Sequence, residues 1–193
     1  DNGLHSYEPT LGVRVRRTRP SIEGRFRPVF DLKTLANEAI PHALERAERY
    51  RLLNEPAVAE SICLDILQVE PDHQQALVML ILVTTDQFAH NPALGNGAAL
   101  ELVRRLEGEH EKAYYAGIVY ERQAKGRLGR QYPGAGFDAY ELFLEAMNWF
   151  EKAQEMETTD NQDAVMRWNN CVRMIQANNL RERPRDEIEQ GLE

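Results

Sequence analysis

Apolar residues recur at three- and four-residue intervals along most of this chain, which is the spacing of amphipathic helices. The clearest two patterns lie between residues 41 and 72, on either side of the breaker Asn54-Glu55-Pro56. Their apolar positions are Leu44, Ala47, Tyr50, Leu52 and Leu53, and then Ala59, Ile62, Cys63, Ile66, Leu67 and Val69. Two such helices joined by two or three residues must lie antiparallel. The pattern therefore predicts a helical hairpin, which needs neighbours to bury its faces.

Further segments with helical periodicity predict those neighbours. They lie near residues 32–40, 73–88, 98–106, from 109 onward, 138–158 and 160–178. Polar residues mark where three of them begin: Asp31 as a single cap, and the capping boxes Asp72 to Gln75 and Asp138 to Glu141. Pro41 either starts a helix or kinks a continuous one. We therefore expect three hairpins followed by one capping helix.

The hairpin of residues 41–72 resembles a tetratricopeptide repeat. The residues that carry the resemblance are the small, aromatic and apolar positions and the closing proline, namely Ala47, Tyr50, Ala59, Cys63, Ile66 and Pro71. The same intervals return in Gly117 and Tyr120, and then in Ala146, Phe150, Ala153 and Thr158. The resemblance covers about residues 41–175. It implies an all-α fold in which antiparallel helix-hairpin repeats form a short right-handed α-solenoid.

The third hairpin carries an insertion. Gly117 and Ala146 are 29 positions apart, against 12 between Ala47 and Ala59, so 17 residues are inserted. Basic residues and glycines are frequent in this insertion, among them Lys125, Arg127 and Arg130. We interpret residues 123–138 as a mobile loop, which is either a solvated surface loop or a lid over an anionic ligand or partner.

Charge divides the chain into a basic start and an acidic body. The net charge is −8, yet residues 1–30 hold six arginines against Asp1, Glu8 and Glu23, a net of +3, so the remainder carries −11. An acidic body argues against nucleic acid as the main ligand. We predict that residues 1–30 form an extended basic arm, residues 31–178 the helical array, and residues 179–193 a charged tail.

The role of the basic arm has three interpretations. It is a flexible tail or a strap along the acidic body, an arm that binds an acidic partner, or an arm that binds nucleic acid. Strapping onto a second copy would make a homodimer. No apolar run reaches the eighteen or so residues of a membrane span, and no signal peptide is visible. We expect a cytoplasmic protein, unless a signal or anchor precedes Asp1.

Catalytic motifs are not evident in the sequence. There is no glycine-rich phosphate loop followed by lysine, and the two cysteines, Cys63 and Cys171, lie on apolar helix faces. The five histidines include no pair three or four residues apart, and neither Ser21 nor Ser61 lies in a nucleophile elbow. We therefore predict no enzyme activity, no cofactor and no metal site.

In tetratricopeptide arrays, the first helices of successive hairpins line a concave groove that binds peptides. The matching positions of this chain are Leu44, Glu48, Arg51, Val78, Leu82, Thr85, Tyr114, Ile118, Glu121, Arg122, Val165, Asn169 and Arg173. From these we predict that a partner contacts Glu48, Arg51, Leu82, Tyr114, Ile118, Arg122, Asn169 and Arg173, with Lys125, Arg127 and Arg130 contributing from the loop. The expected function is a non-catalytic scaffold or adaptor for a protein or peptide segment. The alternatives are a domain that binds an anionic ligand and a self-associating protein.

Overall fold

The computed structural model describes residues 31–91, 95–130, 132–158 and 160–184. Contacts between Cα atoms divide the chain into two units, Asp1–Lys33 and Thr34–Glu193, and the helices of the described residues belong to the second. The predicted basic arm, residues 1–30, and most of the predicted tail lie outside the described residues.

The described residues form α-helices and short 3-10 helices and contain no strand. The α-helices are α1 (Ile40–Leu52), α2 (Pro56–Val69), α3 (Gln74–Asp86), α4 (Gly97–Arg104), α5 (Glu109–Leu128), α6 (Ala135–Gln154) and α7 (Asp163–Ala177). The 3-10 helices are Asn37–Ala39 and Gln87–Ala89. The prediction of an all-α fold is confirmed for this part of the chain. None of these helices is both long and apolar enough to cross a membrane.

Each helix packs against the next along the chain, and α3 additionally contacts both α1 and α5. Apolar side chains fill the space between neighbouring helices in several clusters, three of which are identified by a few of their residues. Phe143 and Phe150 lie between α5, α6 and α7, while Leu77 and Ile81 lie between α3, α4 and α5. Cys63 of α2 packs with residues of α1 and α3. These contacts place α1, α3 and α5 side by side.

Two helix pairs show the same close approach with different side chains. In α1 and α2, Ala47 and Cys63 are both fully buried in one cluster. In α5 and α6, a Cβ atom added to Gly117 would lie 2.5 Å from the ring of Phe150. The larger phenylalanine therefore fits because its neighbour is glycine rather than alanine.

Three predicted helix starts differ from the structure. Residues 34–36 are not helical, and α1 begins only at Ile40, because a proline ring at Pro41 would clash with the carbonyl group four residues earlier in a continuous helix. The cap of α3 is His73 rather than Asp72, and its Nδ1 accepts a hydrogen bond from the backbone N–H of Ala76 at 3.3 Å. Helix α6 begins at Ala135, three residues before Asp138.

The segment that was interpreted as an insertion is mostly helical, so the prediction of a loop over residues 123–138 is wrong. Residues 123–128 belong to α5 and residues 135–138 to α6, and each helix is 20 residues long. Gly126 is buried because α5 runs close to a neighbouring turn, where an added Cβ atom would lie 3.1 Å from the carbonyl oxygen of Phe88. The extra residues therefore lengthen the α5–α6 pair.

Candidate functional site

A cavity of about 560 Å³ crosses helices α1, α3 and α5. Its lining residues come from these three helices and from the segment after α4, and they are Pro41, Leu44, Glu45, Glu48, Gln74, Gln75, Val78, Met79, Leu106, Glu111 and Tyr115. None of the three helices follows another directly in the chain. The cavity thus exists because α3 packs against both α1 and α5.

The cavity has apolar side chains in its middle and carboxylates at its edges. Val78 and Met79 come from α3, which lies between the other two helices, and Leu44 and Leu106 add further apolar surface. Glu45 and Glu48 of α1 and Glu111 of α5 are exposed. Residues three or four positions apart share a helix face, so α1 presents both of its glutamates beside Leu44.

A smaller cavity of about 120 Å³ continues this surface towards α7. It is lined by His110, Glu111, Tyr114, Tyr115 and Asp163, and so shares Glu111 and Tyr115 with the larger cavity. The His110 and Tyr114 rings are stacked, with 6.1 Å between their centroids. We refer to the surface formed by the lining residues of both cavities as the groove.

The carboxylates of the groove have no lysine or arginine partner within the part of the chain that the structure describes. Glu45 lies 3.9 Å from the Nδ1 atom of His42, and Glu111 lies 3.8 Å from the Nδ1 atom of His110. Glu48 forms no ion pair with another described residue. The groove therefore carries negative charge at both of its edges.

The electrostatic environment of Tyr115 agrees with this charge. Burial raises the pKa of the Tyr115 hydroxyl above its ordinary value, and Tyr114, Glu111 and Asp163 raise it further. A nearby negative charge opposes the formation of a phenolate, whereas the positive charge of Arg122 acts in the opposite direction and has a smaller effect. The hydroxyl stays protonated and can donate a hydrogen bond.

Beyond the groove, Asp86 links three helices of this face. Its Oδ2 atom lies 2.6 Å from Arg51 Nε of α1, and its Oδ1 atom lies 2.8 Å from Arg122 Nη1 of α5. Arg122 also donates hydrogen bonds to the Leu82 carbonyl and to the Thr85 hydroxyl of α3. Burial lowers the pKa of the Arg122 guanidinium, and Asp86 opposes that shift. Asp86 thus ties α1, α3 and α5 together.

Glu121 makes a second tie, between α5 and α7. Its side chain is completely buried, and its Oε1 atom accepts hydrogen bonds from Lys125 Nζ at 2.5 Å and from Asn170 Nδ2 at 2.7 Å. Its Oε2 atom accepts one from Arg167 Nη1 at 3.3 Å. A buried carboxylate persists when it is paired and hydrogen-bonded in this way. Glu121 therefore fixes α7 against α5.

The structure separates the predicted partner contacts into several groups. Leu44, Glu48 and Val78 line the larger cavity, and Tyr114 lines the smaller one. Asn169 and Arg173 are exposed on α7, outside both cavities. The remaining predicted positions lie deeper or in the two ties, and they include Arg51, Leu82, Thr85, Ile118, Glu121 and Arg122.

Ile118 requires a correction, because it is 1% exposed and belongs to the cluster around Phe143 and Phe150. Its side chain belongs to the core that α5 shares with α6 and α7, and it lines neither cavity of the groove. Val165 is also displaced from the expected surface, since it lines a separate cavity of about 150 Å³ with Glu157 and Gln162.

The three basic residues assigned to a loop are held by the helices. Lys125 lies within α5 and pairs with Glu121, and Arg127 is also in the last turns of α5. Arg130 follows the helix and donates a hydrogen bond to the Phe88 carbonyl at 3.3 Å. Lys125 and Arg127 therefore belong to a helix, and Arg130 follows shortly after it.

Eight lining residues of the larger cavity were missed by the sequence interpretation: Pro41, Glu45, Gln74, Gln75, Met79, Leu106, Glu111 and Tyr115. A signal existed for some of them. Glu45 lies three positions before Glu48, and Glu111 lies four before Tyr115, so each pair shares a helix face. Tyr114, which was predicted, lines only the smaller cavity, whereas the next residue, Tyr115, lines both.

No protein-family model matches this chain, and neither a curated protein nor a solved structure matches it. The groove and its charges are therefore the basis for assigning a function.

Proposed function

We propose that this protein is a non-catalytic scaffold that binds a segment of another protein in the groove. In this proposal the helices form a short right-handed α-solenoid of three hairpins and a capping helix, similar to tetratricopeptide repeat proteins. The hairpins are α1–α2, α3–α4 and α5–α6, and α7 is the cap.

Two observations support the repeat arrangement. The first helix of each proposed hairpin contacts the first helix of the next, as α3 does with α1 and α5. The close approach within hairpins also recurs, since Ala47 with Cys63 and Gly117 with Phe150 occupy corresponding positions. Repeats that stack in this way expose one continuous face, which repeat proteins use for binding.

The larger cavity is the observation that carries the proposed function. It joins three helices, it measures about 560 Å³, and Val78 and Met79 give it an apolar centre. Apolar centres with polar edges are typical of surfaces that anchor a peptide side chain.

The alternative of an anionic ligand under a basic loop has less support. Its cations, Lys125 and Arg130, already bind Glu121 and the Phe88 carbonyl. Self-association through the basic arm remains a prediction, and the mass of the full chain in solution would test it.

Peptide display against the immobilised full chain tests the scaffold proposal. Val78→Trp fills the centre of the cavity, and Val58→Trp is the matched control, because Val58 is 39% exposed on α2 and does not line the groove. We expect peptides that bind the wild type and Val58→Trp but not Val78→Trp. Leu44→Gln provides a second change that adds no bulk.

Thermal melting of each variant shows whether it remains folded. Peptides that bind Val78→Trp and Leu44→Gln as well as they bind the wild type would place the binding surface elsewhere and contradict the proposal.

A further inference from the structure

We propose that the segment bound in the groove is cationic, with an aliphatic side chain held in the apolar centre and arginine or lysine side chains on both sides of it. This inference rests on the proposed function and specifies the chemistry of its partner. The juxtaposition that carries it is an apolar cavity centred on Val78 between the carboxylates of Glu48 and Glu111.

The position of these carboxylates matches a segment that crosses the helices. Glu45 and Glu48 stand on α1 and Glu111 on α5, so the two sources of negative charge are separated by α3. A segment lying across α3 therefore meets a carboxylate before and after the apolar centre. Complementary charge at both ends fixes the register of such a segment and speeds its association.

These glutamates differ from the carboxylates that stabilise the fold. Asp86 and Glu121 each bind two basic side chains, whereas Glu48 has no ion-pair partner among the described residues and Glu111 has only His110 at 3.8 Å. Carboxylates repel each other at the groove edges unless a cation is present. A partner's arginine or lysine supplies that cation.

The arginines on the same face do not favour an anionic segment. Arg51 and Arg122 share the Asp86 carboxylate, and Arg122 also donates to the Leu82 carbonyl and the Thr85 hydroxyl. The Arg122 side chain is only 16% exposed. An anionic partner would have to displace these bonds, and it would pass the groove carboxylates on the way.

Negative charge also continues beneath the smaller cavity. Glu157 has a side chain only 3% exposed, and its Oε1 atom lies 3.5 Å from His110 Nε2. The Oε2 atom of Glu157 is buried and has no hydrogen-bond partner in the described residues. This carboxylate faces the side of His110 opposite to Glu111, so it adds to the negative potential around the α5 end of the groove.

A matched set of peptides tests the charge requirement on the full chain. The probes are fluorescein-labelled nonapeptides in which leucines alternate with three arginines, three glutamines or three glutamates. The groove variant combines Glu45→Gln, Glu48→Gln and Glu111→Gln. The control variant combines Glu55→Gln, Glu70→Gln and Glu155→Gln, which are exposed positions outside both cavities, so the two variants have equal net charge.

We expect fluorescence anisotropy to show that the arginine peptide binds the wild type at least tenfold more tightly than the glutamine peptide. The groove variant should lose at least tenfold of that affinity and show a weaker salt dependence, whereas the control variant should stay within threefold of the wild type. Equal affinity of the arginine and glutamine peptides, stronger binding of the glutamate peptide, or an unaffected groove variant would each overturn the inference.

Val78→Trp separates this inference from the proposed function. If neutral peptides bind the wild type as tightly as arginine peptides and lose affinity on Val78→Trp, the groove is the binding site but does not prefer cations. Arginine peptides that bind Val78→Trp and the wild type alike would contradict both.

Discussion

Replacing Glu121 by glutamine tests whether buried charge holds α7 against the helices that line the groove. Glutamine keeps the size of the side chain and can still accept a hydrogen bond from the Asn170 amide, which lies 2.7 Å from Oε1. It removes the negative charge that faces Lys125 and Arg167. The change therefore isolates charge from shape.

The size of the effect follows from the exposure of the two cations. Hydrogen bonds to charged groups contribute about 1.5–3 kcal/mol when they are buried. The Lys125 and Arg167 side chains are 38% and 37% exposed, so water screens much of each interaction. We expect Glu121→Gln to lower the free energy of unfolding by about 1–2 kcal/mol, and Glu121→Ala by about 3–4 kcal/mol because it also leaves a cavity and an unpaired amide.

Urea denaturation followed by circular dichroism gives both values, and Glu141→Gln on the exposed surface of α6 is the control. Hydrogen exchange should show faster opening of α7 than of α1 in Glu121→Gln. A double-mutant cycle with Arg167→Met measures the coupling directly. The reasoning is refuted when Glu121→Gln differs from Glu141→Gln by less than about 0.5 kcal/mol, which is the usual spread for surface substitutions.

Three further predictions follow from the packing. Gly117→Ala should lower the free energy of unfolding by about 2 kcal/mol in the same titration, because its methyl group would lie 2.5 Å from the Phe150 ring; an unchanged midpoint would contradict the contact. Burial raises the pKa of both Cys63 and Cys171 from 9.0 to about 12. The folded state thus retains thiol protons that the unfolded state releases, so the free energy of unfolding should fall as the pH rises from 9 towards 12. Iodoacetamide at pH 9 should label these thiols only in urea. Rapid labelling of the folded chain would show that the thiols are accessible and would contradict the prediction. Asp86→Asn should lower the free energy of unfolding by about 2 kcal/mol and speed hydrogen exchange in α1. Equal exchange in the variant and the wild type would show that Asp86 does not hold α1 in place.

Much of the helical architecture could be predicted from the sequence, because burial imposes a period on the apolar residues. Ala47 and Cys63 stand at the centre of two such periods, and both are fully buried. The starts of the helices were harder to predict. Asp72 and Asp138 are residues that often cap helices, but α3 is capped by His73 and α6 begins three residues before Asp138.

The insertion was misread because its glycines have two physical explanations. A glycine indicates flexibility when its backbone is free, and it indicates close packing when another chain segment passes nearby. Gly126 is of the second kind, since it faces the Phe88 carbonyl. The sequence does not distinguish the two, because the approaching segment lies almost 40 positions away in the chain.

The charged residues of the site were identifiable by type but not by role. Glu48, Glu121 and Arg122 all stand at positions that the sequence interpretation assigned to a groove, yet Glu121 is fully buried and Arg122 is bound to Asp86. Pairing between helices depends on which side chains meet across the array. A single sequence does not state those distances, so exposed and buried charges look alike in it.

The division of carboxylates into paired and unpaired groups connects the fold with its proposed role. Asp86, at the end of α3, binds Arg51 of α1 and Arg122 of α5, so these two arginines already have a carboxylate partner within the chain. Glu48 of α1 and Glu111 of α5 line the same cavity, and neither has a lysine or arginine partner among the residues that the structure describes. A cationic segment that bridges these two glutamates would complete the same kind of tie with an external group. Binding would then stabilise the helical array itself, by about 2.7 kcal/mol when the segment is present at 100 times its dissociation constant.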